Sequence, residues 1–186
     1  LVGHDWGGAL AWQVAARHPD RLRSLSVVST PHPLAFRRAL DDPATDQAQR
    51  SAYMAIFRTE GAGEDMWLGQ GVEGLRAIYA AAGLTAEEAA PCVAAFSDRA
   101  ALTAFLNWYR AGDPADPNGA PVLVPTLYVW STGDPALGRE AAEWTRDYVL
   151  STYRFEVLEG IDHWIPEHAP ERAPAHTATR CASAET

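Results

Sequence analysis

The chain opens on Leu1-Val2-Gly3-His4-Asp5-Trp6-Gly7-Gly8, a short apolar run that passes into G-x-D-x-G-G. Glycines two residues either side of Asp5 suit a sharp turn from strand to helix, where a Cβ would collide with neighbouring backbone. Such a turn is a nucleophile elbow. It holds its central side chain strained and exposed at the carboxyl end of a strand, with the following N–H groups and the helix N-terminus facing the same space. The central residue here is Asp5, not Ser. A carboxylate nucleophile attacks carbon and leaves an ester on the enzyme, so the chemistry indicated is alkyl transfer to Asp5 followed by hydrolysis of that ester. Peptidase and ordinary esterase chemistry are disfavoured. The plainer reading of the same residues is a glycine-rich turn with an incidental acid, or a loop that cradles a phosphate.

A catalytic elbow needs a base and an acid downstream in the chain. Ala9 to His18 predicts a helix, with Leu10 and Val14 on one face and His18-Pro19-Asp20 as its stop. Leu22 to Ser29 alternates and is β-branched, as a strand should be, and this βαβ order predicts a parallel sheet. Thr30-Pro31-His32-Pro33 breaks the pattern, and residues 34–111 read as helical and Ala-rich, an inserted helical cap. Pro114, Pro117, Asn118, Gly119 and Pro121 form a turn-rich linker out of it. The sheet then resumes with a strand at Val124–Ser131, an amphipathic helix at Arg139–Leu150 and a strand at Tyr153–Leu158. The expected domains are therefore a core segment over 1–33, the cap and linker over 34–121, and a second core segment over 122–186. The tail from Ala173 to Thr186 is Ala/Thr/Ser-rich and lacks an apolar face.

In an open parallel sheet the loops after the strands share one edge, so catalytic side chains are sought there. Ser131-Thr132-Gly133-Asp134-Pro135 follows one strand and Gly160-Ile161-Asp162-His163-Trp164 follows another. The chain order is then nucleophile Asp5, acid Asp134, base His163. Alone, Asp134 is a turn former and His163 a structural histidine; the ordered set is what argues for chemistry. His163 would deprotonate the water that attacks the Asp5 ester, and Asp134 would hold its ring and stabilise the imidazolium. Asp162 is the rival acid, disfavoured as the immediate neighbour of His163. His4 is expected to point to the opposite face from Asp5, while His18, His32, His168 and His176 read as surface or turn residues.

Together GHDWGG and the order Asp5, Asp134, His163 resemble the α/β-hydrolase superfamily, specifically its epoxide hydrolase and haloalkane dehalogenase branch. The resemblance spans roughly residues 1–170. It implies the α/β-hydrolase fold, a mostly parallel sheet flanked by helices with an inserted helical cap, of which this chain holds the carboxyl-terminal part. An elbow at residue 5 leaves outside the chain the first strands and an HG-x-P loop that relatives carry, and with it the second oxyanion donor; the backbone N–H of Trp6 is the first. Leu106-Asn107-Trp108-Tyr109-Arg110 resembles the cap segment whose tyrosine donates to the epoxide oxygen. Ring opening leaves an alkoxide that needs a positioned acid, and a phenol with pKa ~10 can supply one. The resemblance assigns that role to Tyr109 with Tyr53 as its partner, Tyr79 being a possible substitute for Tyr53; the plainer reading makes Tyr53 and Tyr109 helix core residues.

The implied activity is hydrolysis of an epoxide to a vicinal diol without cofactor or metal. The alternatives are a haloalkane dehalogenase using Asp5, Asp134 and His163, whose halide leaves without a proton, and a non-catalytic α/β-hydrolase fragment. Charge agrees with a neutral small-molecule substrate: 15 Lys+Arg against 24 Asp+Glu give −9 over 186 residues, which disfavours nucleic acid and anionic membrane as partners. Cys92 and Cys181 have neither disulfide-framework nor zinc spacing, and no apolar run is long enough to span a membrane, so a cytoplasmic protein is expected.

Overall fold

The computed structural model describes residues 1–172, so the tail from Ala173, with His176 and Cys181, lies outside the described residues. Four parallel strands form one sheet, β1 (Val2–His4), β2 (Leu25–Val28), β3 (Thr126–Ser131) and β4 (Tyr153–Leu158), side by side in the order the chain meets them. The register aligns Gly3 with Val27, Val27 with Tyr128, and Tyr128 with Phe155. Because every pair is parallel, all four carboxyl ends share an edge, which brings Asp5, Ser29, Asp134 and His163 to one side of the sheet.

The strands separate their side chains by alternation. Helix α1 (Trp6–Arg17) lays Trp12 and Ala15 on one face, where they pack with Leu25, Val27, Tyr128 and Trp130. Val28, Leu127, Val129 and Leu158 point the other way, onto Ile165 and Ala169. The helix starts three residues before the expected Ala9, at Trp6, because the elbow turns directly into it. A 3-10 turn over Pro19–Arg21 delays the following strand to Leu25.

Helices α2 (Pro33–Asp41) and α3 (Gln47–Arg50) belong to the same compact unit as the sheet, Leu1–Ser51 with Pro114 onwards. Later in that unit come α9 (Arg139–Trp144) and α10 (Ile165–His168). The helix expected over 139–150 stops at Trp144 and continues as a 3-10 turn over Thr145–Tyr148. There the buried Thr145 hydroxyl donates to the Ala141 carbonyl and accepts from the N–H of His32, tying α9 to the start of α2.

The second unit, Ala52–Asp113, is all helix: α4 (Tyr53–Arg58), α5 (Ala62–Leu68), α6 (Gly71–Ala81), α7 (Ala86–Phe96) and α8 (Arg99–Ala111). It is narrower than the expected 34–121. Residues 34–51 look helical in sequence, but α2 packs on α9 and so groups with the sheet. The helical unit has its own core. Phe57 and Tyr109 meet edge to face at 5.0 Å, and Trp67 packs on Phe57, Phe105 and Tyr79. A capping box of Thr85 and Glu88 starts α7, and Asp98 caps α8. Across α5 and α8, the buried Glu64 accepts from Arg110 at 2.8 Å and from Thr103 at 2.8 Å, which holds its carboxyl down to about 2. None of the described helices is long and apolar enough to cross a membrane.

Candidate active site

Asp5 sits between β1 and α1 with φ 51° and ψ −124°, a conformation that costs an L-residue roughly 1–3 kcal/mol. Its surroundings hold it there. The Asp5 carbonyl accepts from Ala9 N–H at 3.0 Å and from the Thr30 hydroxyl at 2.8 Å. Gly3 is required as expected: a Cβ would lie 2.3 Å from the Gly7 carbonyl oxygen. The matching expectation for Gly7 is not met, since a Cβ there meets nothing within 4 Å. The second tight glycine is Gly8, whose Cβ would lie 2.9 Å from Val27 Cγ1 and so push α1 off β2.

Beyond the elbow the three residues singled out in the sequence meet. His163 Nδ1 donates to Asp134 Oδ2 at 2.8 Å, and His163 Nε2 lies 3.3 Å from Asp5 Oδ1. Asp134 has a fully buried side chain and Asp5 a 46% exposed one, which suits an orienting acid and a group that must meet substrate. The other Asp134 oxygen accepts from the N–H groups of Ala136 and Leu137, so the carboxylate is fixed by its own loop before it reaches the ring. Burial disfavours a charged His163, but hydrogen bonds to Asp134 and Asp5 outweigh it and raise the ring's pKa to about 10. Burial likewise works against an ionised Asp5; the bond to His163 and the Trp6 backbone N–H prevail and hold its carboxyl below the usual range. Trp6 N–H thus already addresses the Asp5 carboxylate.

Asp162 is occupied elsewhere, accepting from Trp164 N–H at 2.9 Å and pairing with His168 Nδ1 at 2.9 Å. His168 is thereby a partner of the base loop and not a plain surface residue. His32 also departs from expectation. It is buried, its Nε2 donates to the Ala120 carbonyl, its Nδ1 accepts from Leu34 N–H, and its ring stacks on Tyr148 at 5.1 Å. Burial lowers its pKa to about 4. His4 does not point away from the site: its ring centroid is 4.9 Å from that of His163. The loop that carries His163 returns over the sheet edge and brings its carbonyl to 2.9 Å from His4 Nε2.

Two residues of the acid loop's support carry no sequence signal beyond their polarity. Gln47, 1% exposed, donates to Ala136 carbonyl at 2.8 Å and to the Ser51 hydroxyl, and accepts from Gly138 N–H at 2.7 Å. Arg50 donates to the Asp134 carbonyl at 2.8 Å. In the helical unit the tyrosines are brought together, Tyr53 and Tyr109 meeting edge to face at 6.1 Å and both packing on Phe57. Tyr79 packs instead on Trp67, and its hydroxyl engages Cys92. Among the described residues no group of His, Cys, Asp and Glu is arranged to hold a metal ion.

Known epoxide hydrolases resemble the chain in both sequence and structure. The chain is 34% identical over 184 residues to Epoxide hydrolase 3 of Xenopus tropicalis, an alignment covering 92% of this chain and 49% of that protein. It is 31% identical over 182 residues to Epoxide hydrolase 4 of Mus musculus, covering 92% of this chain and 50% of that one. The chain spans about half the length of these curated relatives. A solved structure described as belonging to novel epoxide hydrolases of the alpha/beta hydrolases superfamily, from metagenomes of hot environments, superposes with a TM-score of 0.75 at 27% identity, over 95% of this chain and 65% of that one. A family model for the alpha/beta hydrolase fold matches residues 1–170, and with a parallel sheet that presents an acid on its elbow, this chain belongs to the α/β-hydrolase family.

Proposed function

We propose that this protein hydrolyses an epoxide to a vicinal diol through an ester on Asp5. The observation that carries the reading is the line Asp5–His163–Asp134, 3.3 Å and 2.8 Å long, with a carboxylate where a serine hydrolase has a hydroxyl. The Asp5 oxygen attacks an epoxide carbon, the ring C–O bond breaks, and the alkoxide takes a proton from a phenol, assigned to Tyr109 with Tyr53 as its partner. Their support is the edge-to-face pairing inside the helical unit, which is proposed to act as the cap. A halide would leave without that proton, so the tyrosine pair favours an epoxide over a haloalkane.

Esterification removes the Asp5 charge, one of the two carboxylates that raise His163, while burial continues to lower it. The ring proton, now held less tightly, passes through solvent to the phenolate, and the neutral form of His163 serves as the base. Its Nε2 takes a proton from water, hydroxide adds to Asp5 Cγ, and the Trp6 N–H stabilises the oxyanion. Collapse expels the diol's alkoxide, which recovers the proton from His163. The regenerated Asp5 carboxyl ionises onto the same ring, restoring the imidazolium–carboxylate pair. The cysteine spacing makes the cytoplasm the proposed compartment.

The test is to trap the first half-reaction. His163→Gln exposed to styrene oxide is expected to carry a substrate-sized adduct on the peptide containing Asp5, whereas Asp5→Asn carries none. Normal turnover by His163→Gln with no adduct sinks the assignment. Single turnover in heavy-oxygen water is expected to label the Asp5 carboxylate and leave the first diol light.

A further inference from the structure

Three successive carbonyls of the base loop are each held from the ends of other strands. The Ile161 carbonyl accepts from Gly133 N–H at 3.0 Å, and the Asp162 carbonyl accepts from the Ser131 hydroxyl at 2.8 Å. The carbonyl of His163 itself is held twice: the ring of His4 places Nε2 at 2.9 Å and the Ser29 hydroxyl donates at 3.2 Å. His4 can make that bond only as a donor, so Nε2 carries its proton. Ser29 reaches the same oxygen from a left-handed backbone, φ 67°, that immediately follows β2. A non-glycine residue held at positive φ is costly, and here it aims a hydroxyl at the backbone of the base.

We infer that His4, seconded by Ser29, is a positioning residue that sets where His163 stands along the line from Asp134 to Asp5. Both groups bond the His163 carbonyl, and neither bonds Asp5 or the His163 ring. Their effect travels through the His163 backbone: the carbonyl fixes the loop, the Asp134 contact fixes the ring's rotation, and together they leave Nε2 facing Asp5. The His4 ring, 4.9 Å from that of His163, also blocks a swing toward β1. The inference rests on the proposed ester chemistry, in which His163 acts as a base only in the second half-reaction. Loosening its backbone should therefore slow ester hydrolysis and spare ester formation.

The test is single-turnover kinetics with styrene oxide, with the Asp5 adduct quantified by mass spectrometry in acid-quenched samples. His4→Phe keeps a ring but no donor and is expected to slow ester hydrolysis about 5- to 10-fold, the scale of one lost hydrogen bond, with the rate of adduct formation within about two-fold of normal. His4→Gln, whose amide can donate to the same carbonyl, should recover most of that rate. Ser29→Ala reads the second donor and serves if His4→Phe fails to fold. Ester hydrolysis within two-fold of normal in His4→Phe and Ser29→Ala, while His163→Gln traps adduct, overturns the inference and leaves the chemistry standing. If His163→Gln traps none, the chemistry fails, and the positioning is decided by the His163 Nδ1 proton resonance. His4→Phe must shift or broaden that resonance; an unchanged resonance refutes the role.

Discussion

Replacing Asp5 by Asn removes one of the two carboxylates that face His163 and leaves the other in place. Two unit charges about 4 Å apart interact by about 1 kcal/mol in water and about 4 kcal/mol at the effective dielectric of a protein surface. His163 Nε2 and Asp5 Oδ1 are 3.3 Å apart, but Asp5 is 46% exposed, so solvent screening places the pair toward the lower part of that range, at ~2 kcal/mol. At about 1.4 kcal/mol per pH unit, the His163 pKa should fall by about 1.5 from its value of about 10. Asn also retains an amide oxygen that can accept from Nε2, so the change isolates charge more than it removes a hydrogen bond. The assay is a nitrogen-detected NMR titration of His163 in both proteins, with Asp134→Asn as a comparison in which the fully buried partner is neutralised. An Asp5→Asn ring that titrates within 0.3 of the unchanged protein (about 0.4 kcal/mol) refutes the idea that esterification turns His163 into a base.

Tyr109→Phe and Tyr53→Phe should each slow adduct formation by ~2–3 kcal/mol of barrier, by analogy with oxyanion donors, and the double change should abolish it; a fully active double variant removes both from the mechanism. His32 carries a separate acid sensitivity. Its folded pKa of about 4 lies below its ordinary 6.5, so as pH falls the unfolded chain binds this proton first. Stability should drop by about 2–3 kcal/mol between pH 6.5 and 4, and His32→Gln should remove that part of the slope in urea melts; equal slopes refute it. His163 acts in the opposite window: its raised pKa contributes stability that is complete below 6.5 and lost as pH climbs through about 10, and His163→Gln should flatten that alkaline limb.

The parallel sheet, the elbow and the placement of Asp5, Asp134 and His163 at one edge of it were legible in the sequence because each rests on local chemistry. Alternation and β-branching mark β2 and β3, a Cβ-free turn marks Gly3, and an acid or a histidine just past a strand end can occupy only one edge of a parallel sheet. Tyr53 and Tyr109 could be named from their segments, and their edge-to-face contact within one helical unit is consistent with the pair. What the tertiary structure decided is everything that depends on one loop meeting another. Helix-forming residues look alike whether they pack on the sheet or on each other, so only the contact of α2 with α9 moved the boundary of the helical unit to Ala52. The direction of the His4 side chain is expected from strand alternation. That this direction leads onto the base loop is a consequence of the return of residues 160–164 across the strand ends, and no periodicity records it. Gln47 is likewise an ordinary polar residue in sequence. Its amide becomes the brace of the acid loop only because folding buries it where two backbone groups, 136 carbonyl and 138 N–H, would otherwise lack partners.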